Sequence, residues 1–272
     1  MTEQKIRLAF IGAGNMAQAM VAGLYKQKQS PFQLGTASRT RAKCEVLHSM
    51  GAEIFDTNAQ AAAWADMIVL AVKPQQYKTV LDELRDAHLC GRKVFISIAA
   101  GVSCDSICRQ LGAEVPVVRA MPNTPMLMGM GSTAVSRNAL VTDEEFAMAE
   151  SIFSASGMTM RLEEEKMNAV IAATGSAPAY LYLVIKAIFD EARAEGVDTP
   201  VLLDNICQMV RGSAEMAANT PDDLDTLIKK VCSPGGTTER AMQVLYEEDL
   251  PGMIARCMQA CTARAEELGQ QY

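Results

Sequence analysis

Short apolar runs and amphipathic stretches alternate along the first half of the chain. The apolar runs predict seven strands, at 6–11, 33–37, 53–55, 67–72, 93–98, 115–119 and 132–136. The amphipathic stretches predict helices at about 15–28, 40–50, 59–65, 76–88 and 103–111. Strands that are apolar nearly throughout and separated by helices are typical of a parallel sheet covered on both faces. The pattern predicts an α/β fold with a doubly wound parallel sheet in residues 1–162.

The strand pattern stops after about residue 162, and residues 163–272 contain only helical patterns. Helices are expected at 163–196, with a break near residues 175–178, and at 199–218, 222–231, 236–247 and 250–269. The segment 179–189 is apolar nearly all the way round, and a helix of that kind has to be buried on every side. A domain of this size needs a second subunit for that cover, so a homo-oligomer assembled through the C-terminal helices is expected.

The composition fits a globular protein and excludes several functional classes. The 272 residues are 49% hydrophobic and 21% charged, with 25 Lys+Arg against 32 Asp+Glu and a net charge of −7. An acidic chain without a basic stripe is not expected to bind nucleic acid. Its longest apolar runs are shorter than the roughly 20 residues of a membrane span, and its first residues lack the layout of a signal peptide. A soluble, cytoplasmic protein is expected.

The cysteine pattern favours core packing over metal binding. Eight cysteines are spread from Cys44 to Cys261 without a C-x-x-C pair, and the only histidines are His48 and His88. A metal site would need such ligands in close spacing. No metal site is expected, and the cysteines are interpreted as buried apolar residues, with a metal or redox role as the alternative.

A glycine-rich turn follows the first predicted strand and opens the first predicted helix. Its sequence, Gly12-Ala13-Gly14-Asn15-Met16-Ala17, matches the G-x-G-x-x-G/A pattern that lets backbone N–H groups approach a pyrophosphate. Gly12 would allow the tight turn, Gly14 would leave room for the phosphates, and Ala17 would allow the helix to pack closely on the strand. The turn predicts a dinucleotide site, with a purely structural turn as the alternative.

The end of the second predicted strand indicates which dinucleotide binds. Where an NAD site usually has Asp or Glu, this chain has Thr36-Ala37-Ser38-Arg39-Thr40-Arg41. Ser38 and Arg39 suit the 2′-phosphate of NADP(H), because a hydroxyl and a guanidinium both donate hydrogen bonds; a solvated surface arginine is the alternative. Two short segments close the fourth and fifth strands, namely Ala71, Val72, Lys73 and Pro74, and Ala99, Ala100 and Gly101. They are expected to flank the nicotinamide ribose, with plain strand ends as the alternative.

A second anion site is predicted in the helical half. Residues 232–240 read Cys-Ser-Pro-Gly-Gly-Thr-Thr-Glu-Arg, and the donors of Ser233, Gly236, Thr237 and Thr238 converge on a helix start. Such a turn suits a carboxylate or a phosphate, although an ordinary helix cap uses the same residue types. Polar breaks also occur at 174–178 and at 119–125, and the latter suits the lining of a pocket. The sequence shows no Ser-His-Asp or paired-carboxylate pattern, and a hydride-transfer enzyme needs neither.

Six segments, in order along nearly the whole chain, resemble the Δ1-pyrroline-5-carboxylate reductase family, whose members catalyse the last step of proline synthesis. They are IGAGNMA (11–17), LAVKPQ (70–75), IAAGVS (98–103), RAMPNTP (119–125), TGSAPAYLY (174–182) and SPGGTTERAM (233–242). The resemblance implies an N-terminal Rossmann domain in residues 1–162 and an all-α C-terminal dimerisation domain in residues 163–272. It also implies dimers that can assemble into larger rings, with the substrate pocket where two chains meet. Two positions depart from the family, which often has glycine at Ala177 and an apolar residue at Glu239.

The resemblance also implies roles for individual residues. The pyrophosphate would bind at Gly12, Ala13, Gly14, Asn15 and Met16, the adenosine phosphate at Ser38 and Arg39, and the cofactor also at Asn58. Met121, Pro122 and Asn123 would border the nicotinamide and the substrate. The substrate carboxylate would bind at the turn formed by Ser233, Gly235, Gly236, Thr237 and Thr238.

The expected reaction is hydride transfer from NADPH, with NAD(H) as an alternative cofactor, to C5 of the cyclic imine, which gives L-proline. Thr238 is expected to hydrogen-bond the ring nitrogen as a positioning group rather than as a strong acid. Glu164 would either face the substrate ammonium or lie on the surface. One alternative is a hydroxyacid or β-hydroxyacid dehydrogenase, which would use a catalytic Lys or His in the helical half. The other is a non-catalytic NADP(H) sensor, which would not need the second anion site.

Overall fold

A mixed sheet of eight strands is the centre of the larger part of the chain. In the computed structural model, which describes residues 5–89 and 91–270, the strand order is β3-β2-β1-β4-β5-β6-β7-β8. The strands are β1 (Ile6–Ile11), β2 (Phe32–Ala37), β3 (Glu53–Ile54), β4 (Met67–Leu70), β5 (Val94–Ser97), β6 (Val117–Met121), β7 (Gly131–Arg137) and β8 (Gly157–Arg161). The pairs among β1 to β6 are parallel, as the doubly wound prediction requires.

The helices follow the predicted pattern, with ends that differ by a few residues. They are α1 (Asn15–Lys26), α2 (Arg41–His48), α3 (Asn58–Trp64), α4 (Tyr77–Asp86), α5 (Cys104–Leu111), α6 (Asp143–Ser154), α7 (Met167–Val170), α8 (Ala177–Ala194), α9 (Leu202–Asn219), α10 (Leu224–Val231), α11 (Thr237–Glu247) and α12 (Leu250–Gly269). Short 3-10 turns lie at Pro74–Gln76, Thr124–Met128 and Glu164–Lys166, and Ile171–Gly175 forms a π-helical turn. The break expected near residues 175–178 is this π-helical turn.

The sequence pattern misses α6 and β8 and gives the wrong direction for β7. β7 runs antiparallel to β6, because the connection between them holds only the 3-10 turn Thr124–Met128 and no crossover helix. α6 then returns the chain, so that β8 lies parallel to β7 at the sheet edge. β8 reads Gly-Met-Thr-Met-Arg and is largely exposed, so it lacks the apolar run that identifies the other strands.

Two apolar cores cover the two faces of the sheet. In β1, Leu8 and Phe10 belong to the core that also contains side chains of α1 and α6. Ala9 and Ile11 belong to the core that contains side chains of α3, α4 and α5. This alternation follows from the two-residue repeat of a strand, and it makes β1 a strand buried on both faces. The packing sets the carboxyl ends of β1, β2, β4 and β5 side by side, where a doubly wound sheet binds its ligands.

The chain divides into two compact units. Unit 1 contains the sheet and comprises the described residues up to Ser176 together with those from Gln259 onwards, and unit 2 is Ala177–Met258. Unit 2 contains α8 to α11 and the first part of α12. The last part of α12 packs within unit 1, where Ala265 is buried. The domain boundary expected between residues 162 and 163 stays a prediction.

Helix α8 exposes its apolar side chains in the single chain. Leu181, Tyr182 and Leu183 are 53%, 60% and 68% exposed, and α8 has no buried residue. In the part of the chain that the structure describes, Glu164–Ala194 is also long and apolar enough to cross a membrane by length and composition, with a mean hydropathy of 1.4. Neighbouring exposed apolar side chains of this kind are typical of interaction sites.

Candidate cofactor site and anion-binding turn

The turn between β1 and α1 has the backbone that the glycine pattern predicts. Gly12 has a φ of +102°, and its N–H donates to the Ala37 carbonyl at 2.8 Å. A Cβ on Gly12 would lie 2.7 Å from the Ala71 carbonyl oxygen, so β1 and β4 can end this close together only with glycine here. A Cβ on Gly14 would meet nothing within 4 Å. The turn therefore forms a cradle in which a bound group can contact the backbone.

α1 begins at this cradle without a side-chain cap. Gly14 is the N-cap residue, no described side chain caps the helix, and its first turn holds no acidic residue. The first N–H groups of the helix therefore lack partners within it. Unpaired N–H groups and the positive end of the helix dipole favour a phosphate at this position.

A cavity of about 370 Å³ lies in front of the turn, at the carboxyl ends of β1, β2 and β4. Nine of the predicted cofactor residues line it, namely Gly12, Ala13, Gly14, Ser38, Arg39, Asn58, Ala71, Val72 and Lys73. The rest of the lining consists of Thr40, Lys43, Gln75, Gln76, Thr79, Val80 and Glu83. The other predicted cofactor residues lie outside the lining, namely Asn15, Met16, Pro74, Ala99, Ala100 and Gly101. Four segments that are distant in sequence thus meet at one cavity.

A larger cavity, of about 740 Å³, lies at the opposite ends of the strands. Its lining includes Phe95 near the start of β5 and Pro116 just before β6. Two of its cations have protein partners, since Arg92 donates to Glu145 at 2.7 Å and Lys93 donates to the Ala65 carbonyl at 2.5 Å. Ligands of doubly wound sheets bind at the carboxyl ends of the strands, so the smaller cavity is the candidate site.

Three cations, Arg39, Lys43 and Lys73, line the candidate cavity, and none of them has an acidic partner among the described residues. Arg39 and Lys43 form no ion pair with any described residue, whereas the neighbouring Arg41 is paired with Glu45 at 3.1 Å and with Asp56 at 3.5 Å. Unpaired positive charge of this kind suits a phosphate. Lys43 was not predicted from the sequence, although its position in the first turn of α2, four residues after Arg39, could have indicated it.

Asn58 is held by Glu83 in the wall of the cavity. Asn58 is the first residue of α3, whose start is fixed by a capping box between Thr57 and Gln60. The Asn58 Nδ2 donates to Glu83 Oε2 at 2.6 Å. Because the amide nitrogen faces Glu83, Oδ1 is the atom left to accept a hydrogen bond from a ligand hydroxyl.

The predicted segment after β5 lies against the end of α12. Gly101 has a φ of +81°, and a Cβ there would lie 2.5 Å from the Ala265 carbonyl oxygen. Ala99 is 5% exposed, and its N–H donates to Ser97 Oγ at 3.3 Å. Helix packing alone therefore accounts for a glycine at position 101.

The loop after β6 is tied to the π-helical turn. Asn123 donates from Nδ2 to the Thr174 carbonyl at 3.1 Å and accepts from the Ser132 N–H through Oδ1 at 2.9 Å. A Cβ on Gly175 would lie 2.6 Å from Met121 Cε, so the two segments are in close contact. Both groups of the Asn123 amide are engaged, so this side chain shapes the loop that carries Met121 and Pro122. Turns of the π type occur often at functional sites.

A partly buried ion pair holds the strand that leads to this loop. Arg119 on β6 is 5% exposed, and its guanidinium donates to Asn168 Oδ1 at 2.6 Å and lies 3.6 Å from Glu164 Oε1. Glu164 also accepts the N–H of Cys104, the first residue of α5, at 2.8 Å. Burial lowers the pKa of the Arg119 guanidinium, and the Glu164 carboxylate opposes that shift. Glu164 thus connects β6 and α5 through these contacts, a role that was not predicted from the sequence.

Three of the described cysteines are core residues, whereas Cys207, Cys232 and Cys261 are half-buried and Cys257 is exposed, so the interpretation of all cysteines as buried residues is wrong for these four; Cys90 lies outside the described residues. Cys44, Cys104 and Cys108 are buried, and burial raises the pKa of each thiol, so they remain protonated. The described residues contain no cluster of three metal-ligating side chains.

The predicted second anion site is a turn that opens α11 in unit 2. Gly235 has a φ of +70°, and Gly236 is the N-cap residue without a side-chain cap. The Gly236 N–H donates to the Ser233 carbonyl at 2.9 Å, and the Gly235 N–H donates to Glu239 Oε2 at 2.8 Å. The first N–H groups of α11 remain as donors. The turn therefore already binds one carboxylate, that of Glu239.

The sheet order, the glycine turn and the cavity at the strand ends define a Rossmann-type nucleotide-binding protein with a helical C-terminal part. The family model described as pyrroline-5-carboxylate reductase dimerisation matches residues 164–268, and the model described as NADP oxidoreductase coenzyme F420-dependent matches residues 7–101. A curated pyrroline-5-carboxylate reductase of Vibrio alginolyticus is 37% identical over 269 residues, which are 98% of this chain and 98% of that protein. The chain belongs to the pyrroline-5-carboxylate reductase family.

Solved structures of the same family have the same fold. The pyrroline-5-carboxylate reductase of Coxiella burnetii matches with a TM-score of 0.86 and 34% identity, over 97% of this chain and 98% of that one. The Plasmodium falciparum pyrroline carboxylate reductase, solved with NADP bound, matches with a TM-score of 0.85 and 25% identity, over 98% and 99% of the two chains. The resemblance stated from the motifs is confirmed, together with the Rossmann and dimerisation domains that it implied.

Proposed function

We propose that the protein reduces Δ1-pyrroline-5-carboxylate to L-proline with NADPH as the hydride donor, the last step of proline biosynthesis. Membership of the family over nearly the whole chain is the observation that carries this proposal. When bound, the reduced nicotinamide supplies the hydride, and the protein has to bind, orient and hold the reactants. Of the two alternatives from the sequence, a hydroxyacid dehydrogenase resembles this chain in fold alone, at 13% identity, and a non-catalytic sensor would not need the second anion site.

The cavity of unit 1 fits a phosphorylated dinucleotide. The backbone at Gly12 and Gly14 leaves the cradle that a pyrophosphate needs, and a Cβ on Gly14 would fill it. Arg39 and Lys43 supply positive charge without an acidic partner, and no carboxylate follows β2 to favour NAD(H) over NADP(H). We assign the pyrophosphate to the turn and the 2′-phosphate to the end of β2.

The turn of unit 2 is the proposed site of the substrate carboxylate. Ser233, Gly235, Gly236 and Thr237 would hold the acid group, and the Thr238 hydroxyl would hydrogen-bond the ring nitrogen. A cyclic imine accepts hydride well only when it is protonated, so a group that orients the nitrogen toward a proton source lowers the barrier. Met121, Pro122 and Asn123 are proposed to border the reacting ring.

Assembly through the C-terminal helices completes the proposal. The chain carries the dimerisation domain of its family, and α8 exposes apolar side chains that a second copy would cover. A homodimer, with larger rings built from it, is therefore proposed. Sedimentation of a stable, fully active monomer would contradict this assembly. The cytoplasmic location expected from the sequence, and the absence of nucleic-acid and membrane partners, stay predictions.

A spectrophotometric assay separates the candidate functions. Oxidation of NADPH with pyrroline carboxylate, and not with a hydroxy- or keto-acid, is the expected result. Activity only with the acids would favour a hydroxyacid dehydrogenase, and binding of NADPH without turnover of any of them would favour a sensor.

Substitutions at two positions, Thr238 and Glu239, test the proposed substrate site. Thr238→Ala should lower kcat/KM by roughly tenfold, which corresponds to about 1.4 kcal/mol, whereas Thr238→Ser keeps the hydroxyl and should retain most activity. Glu239→Gln keeps an oxygen that can accept the Gly235 N–H but removes the negative charge that repels a substrate carboxylate at the turn, so it should lower KM for the imine and leave kcat nearly unchanged. Wild-type kinetics in Thr238→Ala would exclude a hydrogen bond from its hydroxyl to the ring nitrogen, and an unchanged KM in Glu239→Gln would place the substrate carboxylate elsewhere.

A further inference from the structure

Tyr77 connects the ends of two strands next to the candidate cofactor cavity. It is the first residue of α4, follows the loop 71–76, and is only 1% exposed. Its hydroxyl donates to the Leu70 carbonyl at 2.8 Å and lies 3.0 Å from Ser97 Oγ. Leu70 ends β4, Ser97 ends β5, and the two residues are paired in register. The phenol therefore folds the loop back onto the strand from which it starts.

The direction of these hydrogen bonds follows from the chemistry of the groups. A carbonyl only accepts, so the Tyr77 proton goes to Leu70, and the Ser97 hydroxyl has to donate to the Tyr77 oxygen. Ser97 Oγ in turn accepts the N–H of Ala99 at 3.3 Å. The result is one directed chain from Ala99 through Ser97 and Tyr77 to Leu70. Hydrogen bonds arranged in such a chain strengthen one another in a buried environment.

The chain of hydrogen bonds connects the two segments that the sequence predicts to flank the nicotinamide ribose. The first segment, Ala71 to Pro74, starts directly after Leu70 and supplies three residues of the cavity wall. The second, Ala99 to Gly101, contains the N–H that begins the chain. We propose, on the basis of the proposed function, that Tyr77 is a positioning residue that fixes these two strand-end segments relative to each other for cofactor binding. It acts through the backbone and not by contact with the cofactor.

Tyr77→Phe removes the hydroxyl and keeps the buried ring. We expect the dissociation constant for NADPH, measured by the change in nucleotide fluorescence, to rise about twofold to tenfold, the range that corresponds to one lost hydrogen bond. Ser97→Ala breaks the same chain and should have a similar effect. Because both act on one chain, the double variant should bind NADPH only slightly more weakly than either single variant.

A matched control distinguishes positioning from stability. Ser156→Ala also removes a buried hydroxyl, which donates to the Ala19 carbonyl at 3.3 Å, but it lies away from the cavity. It should lower the melting temperature without changing the affinity for NADPH. In the ligand-free protein, hydrogen exchange in peptides covering residues 71–76 and 98–101 should rise in Tyr77→Phe and stay unchanged in Ser156→Ala.

The outcomes separate this inference from the proposed function. If the wild-type protein binds NADPH, and both Tyr77→Phe and Ser97→Ala bind it equally well, the positioning role is wrong and the proposed function stands. If Tyr77→Phe does not fold, Ser97→Ala alone decides. If the wild-type protein does not bind NADPH, the proposed function and the positioning role are both overturned.

Discussion

Removal of the Glu164 charge should destabilise the protein through Arg119. In Glu164→Gln the side chain keeps its size and an oxygen that can accept the Cys104 N–H, but the buried guanidinium loses its only carboxylate among the described residues. Arginine does not release its proton at neutral pH, so the charge stays buried. The substitution therefore changes the charge at position 164 while it leaves the packing of the side chain nearly unchanged.

The magnitude follows from the geometry of the pair. At 3.6 Å the Coulomb attraction is about 4–5 kcal/mol for an effective dielectric constant of about 20. Breaking a fully buried pair by removing one partner costs about 3–5 kcal/mol. The Glu164 side chain is 27% exposed, so water screens part of this, and Asn168 still bonds the guanidinium. We expect a loss of about 2–3 kcal/mol, or about 5–10 °C in Tm for a chain of this length.

Thermal and guanidinium unfolding should be followed at one protein concentration, because the stability of an oligomer depends on concentration. Glu165→Gln is the matched control, since this neighbouring carboxylate is exposed and forms no ion pair with a described residue. A double-mutant cycle with Arg119→Met should show a coupling of at least about 1 kcal/mol. Equal losses in Glu164→Gln and Glu165→Gln, within about 0.5 kcal/mol, would refute the reasoning.

Three further predictions concern the cofactor cavity and the pH dependence of stability. Arg39→Ala should raise KM for NADPH by about tenfold and leave KM for NADH nearly unchanged. The control Arg41→Ala removes a guanidinium that is already paired, so it should change neither KM. Equal changes of KM for both cofactors in Arg39→Ala would show that Arg39 does not bind the 2′-phosphate. Gly12→Ala should abolish NADPH binding, because its Cβ would lie 2.7 Å from a backbone oxygen; titration of NADPH fluorescence measures this, and tight binding would contradict it. Hydrogen bonds from Arg7 lower the pKa of Asp66, so this carboxylate stabilises the fold above its unfolded pKa of about 4, and the contribution is lost as pH falls through the lower folded pKa. Asp66→Asn should therefore have a free energy of unfolding lower than that of the wild type by at most about 1 kcal/mol at pH 7, because the ion pair is partly exposed. This difference should disappear in acid. A difference that does not depend on pH would exclude the ion pair as its source.

Local signals were enough to predict most of unit 1 and much of its cavity. Two local patterns carried these predictions, the apolar runs of β1, β4 and β5 and the G-x-G-x-x-A turn. In each, the physical requirement (burial of a strand, or close approach of a ligand to the backbone) is visible in the residue types of one short segment. α6 was missed although it has such a signal, the capping box of Thr142 and Glu145. β8 has none, because an exposed edge strand needs no apolar run.

Contacts between distant residues explain the other omissions. Glu164 meets Arg119 and Cys104 across 45 and 60 residues, and Asn123 meets Thr174 across 51. No periodicity or spacing in the chain indicates such pairs, because the two members of each pair lie in different segments of the sequence. The sequence could therefore locate the loop after β6, but not show that its amide side chain is engaged on both sides.

The apolar segment of α8 shows what a sequence pattern can and cannot specify. Leu181, Tyr182, Leu183 and Val184 are consecutive, so they point to all sides of the helix, and one neighbouring helix cannot cover them. α9 packs along α8 within unit 2, yet all four side chains remain exposed. The pattern thus predicts that another protein surface buries these side chains, but it does not identify that surface. If a second copy provides it, the stability of unit 2 depends on assembly, and its unfolding should depend on protein concentration.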